Sequence, residues 1–362
     1  MGHRAWPSVE VLEAFGFGGG SSDLTTLSGG HIHDNYLVGS SQRRYVLQRL
    51  NERVFPDPVT VVTNGERVVT HLLEKGEPAP RVVPTVEGRS YFEEPGSVGG
   101  SPPSIWRAWT FLPGTENRAR VQDRDDAFEA ARVFGRFLVS MSDLPAREIE
   151  DTIPRFHDLR ARVTALEHAA AVDDFSRRNA VRWELKSARE LSERVGEGLG
   201  TRLESLPVRL VHNDAKVANV LFDSQTNRAV CVVDYDTVMA GNVLHDVGEL
   251  VRTATTHAEE DSSDNGRVDF DLELLSAVAG GYLTETNELL SDEELESLSW
   301  AGPWMAVENG VRFLTDYLEG DRYFRTLRTD QNLDRCRAQL SLCSLMLESM
   351  RESRACFELA TR

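Results

Sequence analysis

Three polar residues in one short stretch carry the side chains that phosphoryl transfer needs. Asp214 follows an apolar run, Asn219 comes five residues later, and Asp234 ends a second apolar run over residues 229–233. Short connections between these runs should bring the three side chains together. A carboxylate can orient an attacking hydroxyl and take its proton, while an amide and a second carboxylate are oxygen ligands for magnesium on a nucleotide's phosphates. We therefore predict Asp214 as the catalytic base, and Asn219 and Asp234 as metal ligands.

Three further polar residues near this stretch have alternative interpretations. Lys216 could neutralise charge on the transferring phosphoryl group, or could be an ordinary exposed lysine. Asp236 is either a further metal ligand or a partner of the first ligands, and a plain turn carboxylate is the alternative. Asp246 precedes a predicted helix, which it could cap. It could instead accept hydrogen bonds from the backbone of the loop around Asp214.

The composition is that of an ordinary globular protein with an acidic surface. The chain has 362 residues, of which 40% are hydrophobic and 27% charged, and its net charge is −18. Nucleic acids and anionic membranes bind basic surfaces, so this charge argues against both as the main partner. The four cysteines lack a CxxC spacing, which disfavours zinc. No apolar run suits a signal peptide or a membrane span, so we expect a cytoplasmic protein.

Motifs of several other enzyme classes are absent from the sequence. It contains no GxxxxGK[ST], no GxGxxG after a first strand, no GxSxG and no HExxH. The first absence excludes a P-loop NTPase, and the second argues against a dinucleotide-binding fold.

Strand-like alternation dominates up to about residue 112, and helical periodicity dominates beyond it. In the first part we predict a hairpin region over 24–50, a helix over 58–75 and a strand over 105–112. Alternation puts Gln48 and Arg49 on opposite faces of their strand. The predicted helices of the second part are 127–144, 156–167, 179–195, 271–290, 292–318 and 333–359, and the segment 243–255 is predicted to start as a loop and become a helix.

These elements predict an α+β fold with two lobes. A small N-terminal lobe over residues 1–112 has an antiparallel sheet and one helix, and we assign nucleotide binding to it. A larger, mainly helical lobe over residues 113–362 carries the catalytic stretch and the acceptor site. A cleft between two such lobes is a natural place for ligands.

The segments VHNDAKVANVLFD and VCVVDYDT resemble the motifs of the phosphotransferase family of aminoglycoside and choline kinases. The spacing from Asp214 to Asn219 is that of the protein-kinase catalytic loop. The resemblance implies a bilobal protein-kinase-like fold, Mg²⁺ as cofactor and ATP as co-substrate. Within the family, the segments that are similar to N-acetylhexosamine 1-kinases include GGHIHDNYLV, IWRAWTFLPG and GVRFLTDYLEGDRYF.

The resemblance also implies site residues in both lobes. The loop over the nucleotide's phosphates would contain Gly29, Gly30 and His31. The hinge, whose backbone meets adenine, would contain Arg107, Trp109 and Phe111. The acceptor would lie near Asp34, Asp214, Arg312 and Tyr323.

Two parts of the chain depart from the family pattern. Where kinases carry a lysine on the third strand, this chain has Gln48, with Arg49 beside it. Glutamine cannot supply charge, so Arg49 or another cation must do so, or phosphate binding relies on magnesium and backbone donors. In the segment HDVGEL, Val247 and Glu249 stand where phenylalanine and aspartate are expected for sugar 1-kinases, and they leave room for a different acceptor.

The sequence thus predicts an ATP-dependent kinase that phosphorylates the anomeric hydroxyl of an N-acetylhexosamine, with Asp214 as the base. The alternative acceptor is an aminoglycoside, an amino alcohol or another sugar. A nucleotide-binding pseudokinase is a third hypothesis, supported only by Gln48 in place of the lysine.

Overall fold

The structure, a computed structural model, describes residues 6–18, 23–27, 32–39, 43–96 and 103–361. The predicted phosphate loop, Gly29 to His31, lies outside the described residues. Within them, strands dominate the N-terminal part and helices the C-terminal part. The predicted α+β architecture is therefore confirmed.

An antiparallel sheet forms the body of the N-terminal part. Its strands are β1 (Asp23–Thr26), β2 (Asp34–Gly39), β3 (Arg44–Arg49), β4 (Val82–Val83), β5 (Phe92–Glu94) and β6 (Ser104–Thr110). The strand order is β1-β2-β3-β6-β4, and β5 also pairs with β6. Because β6 has paired strands on both edges, its backbone is engaged in the sheet, and it contacts other groups through its side chains.

Alternation along the strands gives the sheet two chemically different faces. Leu47 and Trp106 point into a buried cluster that also contains Val11 of the short helix α1 (Val9–Ala14). Gln48 and Arg107, one residue further along each strand, point to the opposite face. That face is covered by the helix α2 (Pro58–Glu74), so the polar pair lies between the sheet and a helix.

The helix α2 forms where the sequence predicts it, over nearly the same residues. Asp57 caps its first turn by accepting a hydrogen bond from the Thr60 N–H (3.1 Å), and Pro58 occupies the first helical position. Val62 near its start packs in the N-terminal part, whereas Leu72 near its end joins the core of the C-terminal part. The helix therefore spans both parts.

The C-terminal part contains most of the helices. They are α3 (Arg124–Met141), α4 (Leu159–Val172), α5 (Arg182–Leu199), α6 (Arg202–Ser205), α7 (Val243–Ala254), α8 (Leu272–Thr286), α9 (Asp292–Ser297), α10 (Ala301–Leu318), α11 (Gln331–Glu348) and α12 (Met350–Ala360). The strands are β7 (Thr115–Asn117), β8 (Arg209–Val211), β9 (Val220–Asp223), β10 (Ala229–Val232) and β11 (Met239–Gly241). β9 pairs with β7 and β10, and β8 pairs with β11, so short ladders frame the catalytic stretch.

Two long helices predicted from the sequence, 292–318 and 333–359, are each divided. A 3₁₀ turn at Leu298–Trp300 separates α9 from α10. Pro303 lies in the first turn of α10, where the missing N–H costs no intrahelical hydrogen bond, so a new helix begins just before it. Ser349 separates α11 from α12.

The helix α10 is the centre of this part. Nearly all of its residues are buried, and it packs against α4, α5, α7 and α11. None of the helices in the described part of the chain is both long enough and apolar enough to cross a membrane.

Candidate active site

The loop after β8 is fixed by a carboxylate from α7. Asp246 accepts hydrogen bonds from the backbone N–H groups of His212 (2.9 Å) and Asn213 (2.7 Å). Burial raises the pKa of Asp246 to about 7, against the opposing effect of these two donors. Asn242, not Asp246, caps α7. Of the two roles predicted for Asp246, the structure therefore shows the contact with the loop.

Asn213 has a left-handed backbone, with φ of 61°, and contacts hold it on several sides. Its amide donates a hydrogen bond to the Thr237 carbonyl (3.0 Å), and its side-chain oxygen accepts one from Nδ1 of His245 (2.9 Å). His157 donates from Nε2 to the Asn213 carbonyl (2.9 Å) and lies 3.0 Å from Glu308 through Nδ1. The residue before the predicted base is thus rigidly placed.

The carboxylate of Asp214 is bound by the two neighbours that the sequence singles out. Lys216 Nζ and Asn219 Nδ2 donate to the same carboxylate oxygen, at 2.7 Å and 2.9 Å. Burial alone would raise the pKa of Asp214, but the charge of Lys216 and these hydrogen bonds hold it below its usual value. Asp214 is therefore ionised at neutral pH, which is the form that a base needs.

Asp234 follows β10 in a left-handed conformation, with φ of 70°. The adjacent Val233 N–H donates to the Asn219 carbonyl (2.9 Å), which brings the two predicted metal ligands together. Among the described residues, nothing forms a hydrogen bond or an ion pair with the Asp234 carboxylate. Desolvation, together with the charges of Asp236 and Asp214, raises the pKa of Asp234 to about 6.

These donors fit a magnesium ion that also binds phosphates. Within the described ranges no three His, Cys, Asp or Glu side chains are grouped around one point, so the protein supplies few ligands by itself. The Asp234 carboxylate and the Asn219 side-chain oxygen have no protein partner there. Magnesium commonly takes one or two protein oxygens and completes its shell with phosphate and water.

Asp236 requires a correction to the prediction of a metal ligand. Arg107 Nη2 donates to one of its oxygens (2.7 Å), and Nη1 lies 2.7 Å from the other. His33 Nε2 lies 2.6 Å from the first oxygen as well. Burial would raise the pKa of Asp236, but Arg107 and His33 lower it strongly. Both oxygens are engaged by protein groups, so Asp236 is a partner of the N-terminal part.

The cation beside Gln48 is not Arg49. Arg49 is paired with Trp106 and, on its other side, with Asp34, and it shares the α1 face with Leu47. Because successive strand residues alternate, its side chain points away from the face that carries Gln48. The cation that contacts Gln48 is Arg107, and a role for Arg49 in place of the kinase lysine stays a prediction.

The predicted hinge is also placed differently from expectation. Arg107 and Trp109 lie within β6, where both edges are paired, and act through their side chains. The N–H groups of Thr110 and Phe111 donate to the carbonyls of Arg81 (2.8 Å) and Arg44 (3.1 Å). These two N–H groups are already bonded within the protein, so they are not free to donate to adenine.

Arg312 and Tyr323, predicted to face the acceptor, lie together. The guanidinium of Arg312, on α10, is 5.9 Å from the Tyr323 ring, 5.4 Å from Phe324 and 5.0 Å from Phe156. Phe156 precedes His157, which contacts the loop of the predicted base. A cationic and aromatic cluster therefore adjoins the catalytic loop.

A family model described as the phosphotransferase enzyme family matches residues 23–283 of this chain. The chain belongs to this family. Its members transfer phosphate to hydroxyl acceptors, so the prediction of a phosphotransferase with an alcohol acceptor is confirmed. The kinase-like fold is confirmed with it.

Solved structures with the same fold as this phosphotransferase include kinases of several acceptors. A microcompartment-associated aminopropanol kinase aligns with a TM-score of 0.62 and 17% identity, over 95% of this chain and 97% of that one. An amicoumacin kinase bound to AMP-PNP and Ca²⁺ gives 0.58 and 14%, over 89% and 88%. A choline kinase from Cryptosporidium parvum Iowa II gives 0.52 and 14%, over 93% and 92%. At these identities the likeness establishes the fold alone.

Sequence reasoning missed several residues of the phosphotransferase site. His33 lies two residues beyond the predicted phosphate loop and reaches Asp236 over 203 positions of sequence. His157 and Glu308 meet over 151 positions. The only available signals were a histidine in a family-like segment and a buried acid on an apolar helix, and neither identifies a partner.

Proposed function

We propose that this phosphotransferase is an ATP- and magnesium-dependent kinase of a sugar hydroxyl, with the anomeric hydroxyl of an N-acetylhexosamine as the preferred acceptor. One observation carries the kinase chemistry. An ionised Asp214 is held by Lys216 and Asn219 beside Asp234, whose carboxylate has no partner among the described residues. A base, a cation and oxygen ligands are what phosphoryl transfer to a hydroxyl requires.

Each of these side chains has a distinct task. Asp214 orients the attacking hydroxyl and takes its proton. Lys216 Nζ lies 2.7 Å from the Asp214 carboxylate, and its charge would stabilise the transferring phosphoryl group. Asn219 and Asp234 would hold Mg²⁺, which neutralises charge on the phosphates when bound.

The cluster around Arg312 supports a neutral, hydroxyl-rich acceptor. The charge of Arg312, after burial, is the main factor that lowers the pKa of Arg162, so two guanidinium groups lie near each other. Guanidinium N–H groups donate well to hydroxyl oxygens, and the rings of Phe156 and Tyr323 offer apolar faces. A cationic acceptor would instead meet like charges.

A second acceptor class, the amino alcohols and aminoglycosides, has independent support. The similar structures include an aminopropanol kinase and a choline kinase, and the net charge of −18 attracts cations over the whole surface. The third hypothesis, a pseudokinase, gains no support from Asp214, whose protein partners leave it ionised.

The test is ADP release by the purified protein with ATP, MgCl₂ and a panel of acceptors. Release that depends on N-acetylglucosamine or N-acetylgalactosamine supports the proposal. Release only with amino alcohols or aminoglycosides selects the second class, and ATP binding without turnover on any acceptor selects the pseudokinase. Asp214→Asn should lower kcat by about 10²- to 10⁴-fold while nucleotide binding persists. The exposed Asp151→Asn is its control.

A further inference from the structure

Gln48, which stands where kinases have a lysine, forms side-chain hydrogen bonds with neighbouring residues of the sheet. Its side-chain oxygen accepts hydrogen bonds from Arg107 Nε (2.9 Å) and Trp109 Nε1 (2.8 Å). Its amide donates to the side-chain oxygen of Asn35 (2.9 Å). Gln48 and Arg107 are also direct cross-strand partners of β3 and β6. The positive charge beside Gln48 therefore comes from Arg107, on the neighbouring strand β6.

The guanidinium of Arg107 connects the sheet to the turn that follows Asp234. It contacts both oxygens of Asp236 at 2.7 Å, and its side chain and that of Asp236 are only 2% and 3% exposed. His33 completes the contact. Its Nδ1 accepts a hydrogen bond from the Asn51 N–H (3.0 Å), so its Nε2 is the donor to Asp236.

The helix α2 supplies no counter-ion to this cation. Gly65 faces Arg107, and a Cβ on it would lie 3.9 Å from Nη1. Glu66, the next residue, accepts a hydrogen bond from the Ser90 hydroxyl (2.5 Å) on another side. Asp236 is therefore the acid that balances the buried charge of Arg107.

From this geometry we propose that Arg107 is the positioning residue that replaces the missing lysine, and that it acts through Asp236 to hold Asp234 towards the bound magnesium nucleotide. The inference rests on the proposed function. With 2% exposure, Arg107 does not itself reach phosphate. Its effect passes along two residues of backbone, from Asp236 to the left-handed Asp234. Gln48 holds the guanidinium in the orientation that this contact needs.

The test measures binding of AMP-PNP with and without MgCl₂ by isothermal titration calorimetry, together with the thermal unfolding of each free protein. Arg107→Met should weaken binding of the magnesium complex by about ten- to hundredfold, the effect of losing a charged hydrogen bond. Binding of the nucleotide without magnesium should change less than threefold. Adding Gln48→Lys to Arg107→Met returns a cation to the neighbouring strand and should recover at least a third of the wild-type affinity.

A matched control separates positioning from general loss of stability. Arg337 of α11 donates to the buried Glu184 of α5 (2.6 Å), a pair outside the contacts of Arg107 and Asp236, and Arg337→Met should lower the unfolding temperature without changing nucleotide affinity. If Arg107→Met does not fold, Arg107→Met with Asp236→Asn removes both buried charges, and it should fold yet bind the magnesium nucleotide at least tenfold more weakly than wild type. Wild-type affinity in either folded variant overturns the inference. Failure of the wild-type protein to bind AMP-PNP would overturn the proposed function instead.

Discussion

Replacement of Asp246 tests whether one buried carboxylate holds the catalytic loop in place. Its oxygens accept the N–H groups of His212 and Asn213 at 2.9 Å and 2.7 Å, and the residue is fully buried. In Asp246→Ala both N–H groups remain buried without an acceptor. Each such group costs about 1–3 kcal/mol, so the variant should lose about 2–6 kcal/mol of its free energy of unfolding.

Asp246→Asn gives a graded comparison. The amide has one oxygen to accept from the loop, so one of the two N–H groups loses its partner, and the expected loss is about 1–3 kcal/mol. In both variants kcat should fall more than KM rises, because Asp214 directly follows the two released residues. The exposed Asp151→Ala should change neither quantity.

The assay is urea unfolding followed by circular dichroism, with turnover measured on the same preparations. The order of stability should be wild type, Asn variant, Ala variant. An Ala variant within about 0.5 kcal/mol of wild type, the range of ordinary surface substitutions, would refute the claim that Asp246 supports the loop. An Asn variant as unstable as the Ala variant would refute the count of two separate hydrogen bonds.

Three further predictions concern other residues of the C-terminal part. Burial lowers the pKa of His212 from 6.5 to about 4. As the pH falls, the unfolded chain therefore binds this proton before the folded chain does. Wild type should lose about 3 kcal/mol of its free energy of unfolding between these two pH values. His212→Leu should remove this acid-side slope in urea titrations at several pH values, and an unchanged slope contradicts the assignment. Gly281→Ala places a Cβ 2.1 Å from a backbone oxygen of α3 and should lower the unfolding temperature, whereas the neighbouring Gly280→Ala, with 3.6 Å to its nearest atom, should not. Lys216→Met should reduce kcat by about tenfold or more and move the acid limb of the pH–rate profile to higher pH, since it removes the charge that lowers the pKa of Asp214; an unmoved limb refutes that role.

The sequence identifies groups that lie close together along the chain. Asp214, Asn219 and Asp234 fall within 21 positions, and strands with short connections leave few ways to separate them. The helix over 58–75 is likewise predictable, because Asp57 and Pro58 are local start signals.

Arg107 could not be assigned in this way. Its partner Gln48 is 59 positions away, in a contact that depends on the register of β6 against β3. Asp236 is 129 positions away and lies in a turn outside that sheet. Periodicity does predict that Arg49 and Gln48 lie on opposite faces of the sheet, because successive strand residues alternate. Periodicity does not predict which strand lies beside Gln48, because strand order is set by long-range packing.

The proposed acceptor side and the proposed base are connected through one buried helix. Glu308 and Arg312 lie one turn apart on α10, which is buried along nearly its whole length. Glu308 contacts His157, and His157 donates to the carbonyl of Asn213, directly before Asp214. The Arg312 guanidinium lies 5.0 Å from the ring of Phe156, which directly precedes His157. An acceptor bound at Arg312, as proposed, would therefore be positioned by the same helix that supports the loop of the proposed base.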